Sequence, residues 1–275
     1  MHDVPNPRLT APAGAASAYQ RAAEASNDPR CTPIRLDGAV PEGDDLTEPT
    51  FSERDHATWR DLMRRQRPLL DAIACDAFLE GLDALGMSET EIPSYREIDR
   101  RLQAATGWRI ARIPGLLHER DFFAFLARRV FPCTDTIRPE HELDYTPAPD
   151  LFHDVFGHTP MIVLPRFADF YQRLGEVALS AEGEAARAIE RFYWFTVEFG
   201  LIRQHGSLRV FGNGILSSHD ESRHCLTGAV ERLPFDAERV AKEDYDVWHL
   251  QQRLFVIESF DQLADEFEAW SRKIV

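Results

Sequence analysis

The sequence predicts a single, mainly α-helical domain with small β elements, and three observations support this. Apolar residues recur at three- and four-residue steps in most segments after residue 55, which is the period of an amphipathic helix. Only a few short segments alternate in the way that is typical of strands. With 275 residues and 44% hydrophobic content, the chain can bury a sizeable core by itself.

Residues 1–50 are the exception, because they show no sustained helical or strand period. They contain many alanines and acidic residues, and prolines at positions 5, 7, 12, 29, 33, 41 and 49. This composition favours an extended or partly disordered arm. We therefore predict an N-terminal arm over residues 1–50 and one folded domain over residues 51–275.

The first long periodic segment starts at Asp55, and its apolar side chains repeat at helical spacing as far as Gly86. It predicts one long amphipathic helix, bent at Pro68 because proline lacks a backbone N–H. A second helix begins at the sequence SYRE, whose serine and glutamate can form a capping box. This helix is predicted to stop at Gly107.

The rest of the chain combines further helices with three strands. The segment ERDFFAFLARRVF is typical of a helix closed by Pro132. Further helices are predicted over residues 166–180, 184–203 and 260–273. Strands are predicted at RIARI before Pro114, at SLRVFG and at RLFVIES.

The excess of acidic residues limits the kinds of molecule that the protein is expected to bind. Asp and Glu outnumber Lys and Arg by 46 to 31, which gives a formal net charge of −15. Such a chain has little attraction for nucleic acid or anionic membranes. Its apolar runs end before the roughly 20 residues that a spanning helix needs, and its start lacks a signal-peptide core. We expect a cytoplasmic protein whose four separated cysteines are reduced thiols.

The segment PDLFHDVFGHTP, residues 149–160, places two histidines five positions apart among apolar residues. In a regular α-helix this separation rotates the side chains by about 140°, so they would not share a face. A π-bulge inserts one backbone unit and brings such positions nearly into line, and such bulges concentrate at functional sites. Because Gly157 has no side chain to crowd a bulge, we predict a distorted helix between His153 and His158, capped by Asp150.

Glu198 is the only charged residue in FYWFTVEFGLI, a segment that is apolar nearly all the way round and therefore predicted to be buried. A buried carboxylate needs a cation. The partner is either an arginine, such as Arg203 or Arg209, or a metal ion shared with the two histidines. A lone histidine in an apolar segment is more often a hydrogen-bonded core residue, but two histidines with a buried carboxylate favour the metal.

Two imidazoles and one carboxylate form the facial triad of non-haem iron(II) oxygenases, which keeps coordination positions open for dioxygen, water or substrate. Zinc hydrolases use the same ligand types, although the H-E-x-x-H signature is absent here. A metal-stabilised binding protein, with a fully coordinated ion, is a third class. The spacing favours iron over zinc and leaves these classes open.

Several longer blocks resemble one known family. The sequences GLLHERDFFAFLARRVFPCTDTIR, YTPAPDLFHDVFGH, YWFTVEFGL, FGNGILSS and FVIESF follow the order found in the pterin-dependent aromatic amino acid hydroxylases, across residues 95–270. Several blocks in register are far more specific than one short motif. The resemblance implies a single helical catalytic domain of the aromatic amino acid hydroxylase type over residues 51–275.

The resemblance also implies roles for individual residues. The iron ligands, which are also catalytic, would be His153, His158 and Glu198. The carboxylate and ring of the substrate would be bound by Arg138, Thr146, Pro147, Trp194, Phe199 and Ser217. The pterin would be bound by Gly115, Leu117, Phe122, Asp154 and Tyr193. In the glycine loop, Asn213 stands where alanine is common in the family.

The reaction implied is hydroxylation of the ring of a free aromatic amino acid, with L-phenylalanine to L-tyrosine as the expected case. It would use Fe(2+), O2 and a tetrahydropterin, either tetrahydrobiopterin or a bacterial analogue. Tryptophan 5-hydroxylation and another ring position on phenylalanine remain open, and a zinc-dependent hydrolase is the alternative from another class. We expect a monomeric enzyme of phenylalanine catabolism, because the regulatory and oligomerisation segments of animal members have no counterpart here.

Overall fold

The structure, a computed structural model, describes residues 28–144, 146 and 148–274. Residues 1–27 of the predicted arm and Pro147 of the predicted substrate site therefore lie outside the described residues. The expected architecture, mainly helical with small sheets, is confirmed.

In chain order, the elements are α1 (Glu53–Ile73), α2 (Asp76–Ala84), α3 (Tyr95–Thr106), β1 (Arg109–Ile113), α4 (Glu119–Leu126), β2 (Val130–Thr134), the π-helix π1 (Phe152–His158), α5 (Thr159–Ile162), α6 (Pro165–Ser180), α7 (Gly183–Tyr193), the π-helix π2 (Trp194–Glu198), β3 (Leu201–Gln204), β4 (Ser207–Val210), α8 (Asn213–Leu216), α9 (His219–His224), β5 (Glu231–Pro234), α10 (Ala237–Val240), β6 (Arg253–Ile257) and α11 (Phe260–Ser271). Short 3-10 helices lie at Pro29–Cys31, Gly43–Asp45 and Glu140–Glu142.

The strands form two small sheets. β1 and β2 pair in parallel, and the other four strands lie in the order β4, β3, β6, β5. Within the larger sheet, β3 and β4 form an antiparallel hairpin, whereas β3–β6 and β6–β5 are parallel pairs. The strands predicted at RIARI, SLRVFG and RLFVIES are confirmed as β1, β4 and β6.

The prediction of one long helix from Asp55 to Gly86 is wrong, because the helix breaks between α1 and α2. α1 continues through Pro68 and ends where Ala74 adopts an extended conformation, with ψ at 151°. At the break, the N–H of Cys75 donates to the carbonyl of Val210 at 2.9 Å. A continuous helix would leave this carbonyl at the end of β4 without its partner, so tertiary pairing decides where α1 ends.

The predicted ends of α3 are confirmed. The Ser94 hydroxyl accepts the N–H of Glu97, and Gly107 follows the helix with φ at 76°, a left-handed conformation that favours glycine. The reciprocal half of the capping box does not form. The Glu97 carboxylate instead accepts hydrogen bonds from Arg100 and Arg101 at 2.7 and 2.6 Å.

The helix predicted over ERDFFAFLARRVF is only partly correct. α4 ends at Leu126, Arg129 turns the chain with φ at 58°, and the following residues form the buried strand β2. Pro132 therefore lies inside a strand, opposite Ala111 of β1. This strand consists of residues that are buried on both faces, so its sequence lacks the alternation from which a strand is recognised.

The helix predicted over residues 184–203 also ends earlier, because α7 and π2 finish at Glu198 and Leu201 begins β3. The backbone at Gly200 approaches the facing loop so closely that a Cβ there would lie 2.1 Å from the ring of Phe211. A side chain at this position would clash, and the close approach brings the loop before α8 against the end of π2.

The core consists of one large apolar cluster with a high aromatic content and a smaller cluster that includes Ala111, Ile113 and Phe125. Its largest fully buried side chains include Trp59, Trp108, Tyr171, Phe152 and Phe156. All four cysteines are free and buried, in agreement with the prediction of reduced thiols. Among the described residues, no helix combines the length and apolarity needed to cross a membrane.

The described part of the predicted arm contacts the domain. The N–H of Ile34 donates to the carbonyl of Leu116 at 2.9 Å, and its carbonyl accepts the N–H of His118 at 2.8 Å. Farther along the surface, Arg30 forms an ion pair with Glu142 at 2.7 Å. The domain boundary at residue 50 stays a prediction.

Candidate metal centre and adjoining clefts

The predicted distortion between the two histidines is confirmed as the π-helix π1. It brings His153 Nε2 and His158 Nε2 to 2.9 Å from each other, with the ring planes at 84°. Asp150 caps the segment as predicted, because its Oδ1 accepts the N–H of His153 at 3.1 Å. Five-residue spacing thus yields a convergent pair only because the backbone departs from α-helical geometry.

Glu198, the last residue of π2, completes the group. Its Oε1 lies 3.2 Å from His158 Nε2, and its Oε2 lies 3.7 Å from His153 Nε2. The alternative of an arginine partner is wrong, because Arg203 pairs with Glu258 and Arg209 donates to the carbonyl of Ala72. The carboxylate is 5% exposed and faces the two imidazoles.

The donor set fits a divalent transition metal. One ligand atom from each of His153, His158 and Glu198 lies within 4.8 Å of the others. Metal–ligand bonds of about 2.1 Å place neighbouring ligand atoms about 3 Å apart, close to the spacing of the two Nε2 atoms. Among the described residues one other group of potential ligands occurs, Asp144, His219 and Asp220, but Asp144 is exposed and pairs with Arg65.

Electrostatics prepare these residues to coordinate. Burial lowers the pKa of His153 to about 4, so the ring is neutral at pH 7 and its Nε2 offers a lone pair. Burial alone would raise the pKa of Glu198, but the two imidazoles hold it at about 2. The carboxylate is therefore ionised at neutral pH, which metal coordination requires.

Each imidazole is also held from its far side. His153 Nδ1 lies 2.8 Å from the hydroxyl of Ser217, which donates to the carbonyl of Asn213 at 2.9 Å. Since that hydroxyl proton is already used, Ser217 accepts the proton on Nδ1 and leaves Nε2 free to coordinate. His158 Nδ1 lies 2.9 Å from the side-chain amide of Asn213 and 3.1 Å from the hydroxyl of Tyr171.

Asn213 and Tyr171 were not among the predicted site residues. Asn213 had been noted because alanine is common at this position in the family, but that difference did not indicate a contact with His158. Tyr171 gave no signal, because its spacing on α6 is that of an ordinary core residue.

One cleft, the substrate-side cleft, opens on this metal centre with a volume of about 640 Å³. Its walls include every described member of the predicted substrate set, namely Arg138, Thr146, Trp194, Phe199 and Ser217. The rings of Trp194 and Phe199 lie 4.6 Å apart between centroids. Sequence reasoning missed Glu221, His249 and Gln251, which also face this cleft.

Arg138 is buried in the wall of this cleft at 3% exposure, although most arginines are solvated. Its Nε and Nη2 donate to the two carboxylate oxygens of Asp150 at 2.9 and 2.7 Å, while Nη1 takes no part in this pair. Burial alone would raise the pKa of Asp150, but Arg138 lowers it below its usual value. The pair fixes the guanidinium at the cleft.

A second cleft, the cofactor-side cleft, has a volume of about 830 Å³ and a mainly apolar lining. All members of the predicted pterin set face it, namely Gly115, Leu117, Phe122, Asp154 and Tyr193. Asp154 accepts the N–H of Thr134 at 2.7 Å, and burial raises its pKa to about 7. Glu119 and Glu190, which sequence reasoning missed, line the same cleft.

The metal centre lies in the wall between the two clefts. His153, Trp194, Glu198 and Pro149 border both of them, and His158 borders the cofactor-side cleft. An ion at this position would therefore be accessible to two different molecules at once. This arrangement suits a reaction between two organic partners at one metal.

Comparison with known proteins agrees with this geometry. The family described as biopterin-dependent aromatic amino acid hydroxylase matches residues 35–275. The chain is 45% identical over 217 residues to the phenylalanine-4-hydroxylase of Ralstonia nicotianae, covering 78% of this chain and 69% of that protein.

Solved structures of the phenylalanine hydroxylase of Chromobacterium violaceum resemble the fold. One, with bound iron(III) and oxidised 7,8-dihydrobiopterin, has a TM-score of 0.77 at 42% identity and covers 81% of this chain and 82% of that one. Another, with iron and phenylalanine bound, has a TM-score of 0.75 at 41% identity and covers 81% and 83%. With its His–His–Glu centre set between two clefts, the chain belongs to the biopterin-dependent aromatic amino acid hydroxylases.

Proposed function

We propose that this protein is an iron(II)- and tetrahydropterin-dependent monooxygenase that converts L-phenylalanine to L-tyrosine. The observation that carries the proposal is the position of the His153–His158–Glu198 group in the wall shared by the two clefts. Family membership and the ligands named for the related structures support iron, a biopterin and phenylalanine as the occupants.

The substrate-side cleft provides groups for each part of phenylalanine. Arg138, oriented by Asp150, offers Nη1 to the substrate carboxylate, because its other nitrogens are held in the buried pair. Trp194 and Phe199 form an aromatic wall for the ring. Ring and carboxylate are then fixed at separate points, so the ring is held in one orientation beside the metal centre.

The cofactor-side cleft suits a flat, partly polar ring. Phe122 lies edge-on to Tyr193, with centroids 5.5 Å apart, and offers a face for stacking. The backbone at Gly115 and Leu117 supplies hydrogen-bonding groups to the pterin edge. Asp154, with its pKa raised to about 7, exchanges between the proton-bearing and ionised forms near neutral pH and can hydrogen-bond a pterin nitrogen in either form.

His153, His158 and Glu198 would hold the iron on one side. When bound, iron(II) with reduced pterin supplies the activation of dioxygen. The protein's part is to keep the imidazole of His153 neutral, to hold its Nδ1 proton on Ser217, and to exclude water with the apolar side chains around π1.

The test is an aerobic assay of the purified protein with iron(II), a tetrahydropterin and either L-phenylalanine or L-tryptophan, with product identification and oxygen uptake. We expect tyrosine formation that requires iron, pterin and oxygen. Glu198→Ala should abolish it, whereas Glu258→Ala, which removes an exposed carboxylate, should not. Formation of 5-hydroxytryptophan without tyrosine would show that tryptophan, not phenylalanine, is the substrate. Hydrolysis that zinc restores and that needs no oxygen would show that the protein is a hydrolase.

We propose further that the enzyme acts as a cytoplasmic monomer with no nucleic acid or membrane partner. The acidic net charge of −15 argues against nucleic acid and membrane partners, because phosphate-rich surfaces repel such a chain. Analytical ultracentrifugation of the full chain at micromolar concentration measures the oligomeric state. A concentration-dependent dimer would contradict the proposal.

A further inference from the structure

Glu221 on α9 is a buried carboxylate in the substrate-side cleft with one oxygen unused. It is 3% exposed and lines the cleft. Its Oε1 accepts the N–H of Gln251 at 2.9 Å. Its Oε2 is buried and has no hydrogen-bond partner within the described residues.

An unsatisfied carboxylate oxygen at this depth is unfavourable, because burial removes water without supplying a donor. Burial, with a smaller contribution from the nearby charge of Asp220, raises the pKa of Glu221 to about 7. The cation in the same cleft wall, Arg138, is already engaged by Asp150. A ligand in the cleft is therefore the natural source of the missing donor.

The chemistry of an aromatic amino acid identifies which of its groups could donate to Oε2 of Glu221. Its carboxylate only accepts hydrogen bonds, and the phenylalanine ring has no N–H or O–H. The α-ammonium group is then the one strong donor that the substrate has, with three N–H groups and a positive charge. We propose that Glu221 receives the α-ammonium group of the substrate, while Arg138 receives the α-carboxylate.

This inference rests on the proposed function, because it takes an amino acid as the occupant of the cleft. It also explains a preference among ligands, because the two charges of a zwitterionic amino acid would pair with the guanidinium of Arg138 and the carboxylate of Glu221 in the same cleft. Analogues without the amino group would leave Oε2 of Glu221 unpaired. The cleft would then select amino acids over the corresponding aryl acids.

A purely structural role for Glu221 makes a different prediction. The backbone N–H of Gln251 donates to Glu221, and the side-chain oxygen of Gln251 accepts the indole N–H of Trp194 at 3.0 Å. If Glu221 served only to hold Gln251 and through it Trp194, its loss would weaken every ligand that contacts the aromatic wall. The amino group of the ligand would then make no difference.

The experiment combines a change in the protein with a change in the ligand. The dissociation constants of L-phenylalanine and of 3-phenylpropanoate, which lacks the amino group, are measured by calorimetry on the iron(II)-loaded protein without oxygen. The variants are Glu221→Gln, which keeps an oxygen for Gln251, and Glu221→Ala. The matched control is Asp220→Asn, which removes the neighbouring, half-exposed carboxylate.

We expect Glu221→Gln to weaken L-phenylalanine about 10- to 100-fold, as for loss of a charge-assisted hydrogen bond. Binding of 3-phenylpropanoate should change by less than about twofold. Glu221→Ala should show the same dependence on the amino group, and Asp220→Asn should leave both ligands unchanged. Retained binding of 3-phenylpropanoate also shows that the variant is folded.

Equal weakening of both ligands, or of neither, overturns the role of Glu221. The proposed function is judged separately by tyrosine formation in the unaltered enzyme. If tyrosine is formed but both ligands respond alike, only the inference fails. If the unaltered protein binds neither ligand and forms no tyrosine, both fail.

Discussion

Replacing Asn213 with alanine tests how the imidazole of His158, a proposed metal ligand, is held in place. Asn213 is fully buried, and its side-chain nitrogen lies 2.9 Å from His158 Nδ1. Its Oδ1 has no hydrogen-bond partner within the described residues. A metal at Nε2 places the ring proton on Nδ1, and a half-turn of the amide then presents Oδ1 to accept it.

The structure sets the expected magnitude. Loss of a partner that orients a metal-bound histidine typically costs about 10- to 100-fold in metal affinity. Here the Tyr171 hydroxyl, 3.1 Å from the same Nδ1, remains as a second acceptor. We therefore expect the lower end for Asn213→Ala, about 10-fold, or about 1.4 kcal/mol in binding free energy.

The assay is equilibrium competition for iron(II) with a chromophoric chelator under anaerobic conditions. The visible spectrum of the cobalt(II) form gives a second readout, because its bands depend on ligand orientation. The matched control is Gln66→Ala, since Gln66 is another buried amide, bonded to the carbonyl of Leu216 and the hydroxyl of Ser222 at 2.8 and 2.6 Å. Neither hydrogen bond involves His153, His158 or Glu198.

An unchanged iron affinity and cobalt spectrum in Asn213→Ala would contradict the predicted role of Asn213. An equal loss of affinity in Gln66→Ala would also refute it, because the effect would then come from general loosening of the core. Loss in Asn213→Ala alone assigns the effect to the contact with His158.

Three further predictions follow from the same geometry. Loss of a residue that only orients a metal ligand typically lowers metal affinity about 10- to 100-fold, and Glu198→Gln should lower iron affinity by more than this. Chelator competition measures the affinity, and a near-normal value would contradict the assignment of Glu198 as a ligand. Phe122→Leu should raise the KM for tetrahydropterin about fivefold, from roughly 1 kcal/mol of lost stacking, and should leave the KM for L-phenylalanine unchanged in steady-state assays. Glu221→Gln should stabilise the ligand-free protein at pH 8 in urea unfolding. The raised pKa, from 4.5 to about 7, means that the contribution of Glu221 is present below pH 4.5 and lost as the pH rises through about 7. The gain is at most about 3 kcal/mol and should vanish near pH 4.5, and a gain independent of pH would contradict it.

The type of fold and the convergence of His153, His158 and Glu198 could be predicted from the amino-acid sequence alone. Two histidines in an apolar segment and one glutamate in a segment apolar all round predicted a buried site, because unpartnered imidazoles and carboxylates are costly in a core. Their five-residue spacing predicted the π-helix, since only that distortion aligns them. The strands β1, β4 and β6 followed from local alternation or apolar runs.

Other features depend on contacts between residues that are distant in the chain, and these could be found only in the folded structure. α1 ends at Ile73 because Cys75 pairs with Val210, and β2 is a strand because it pairs with β1, although its sequence was compatible with a helix. The unused oxygen of Glu221 and the contact between Asn213 and His158 have no local signature. Local patterns report whether a side chain is buried, but only the folded chain determines which partner it meets there, because such partners come from elements far apart in sequence.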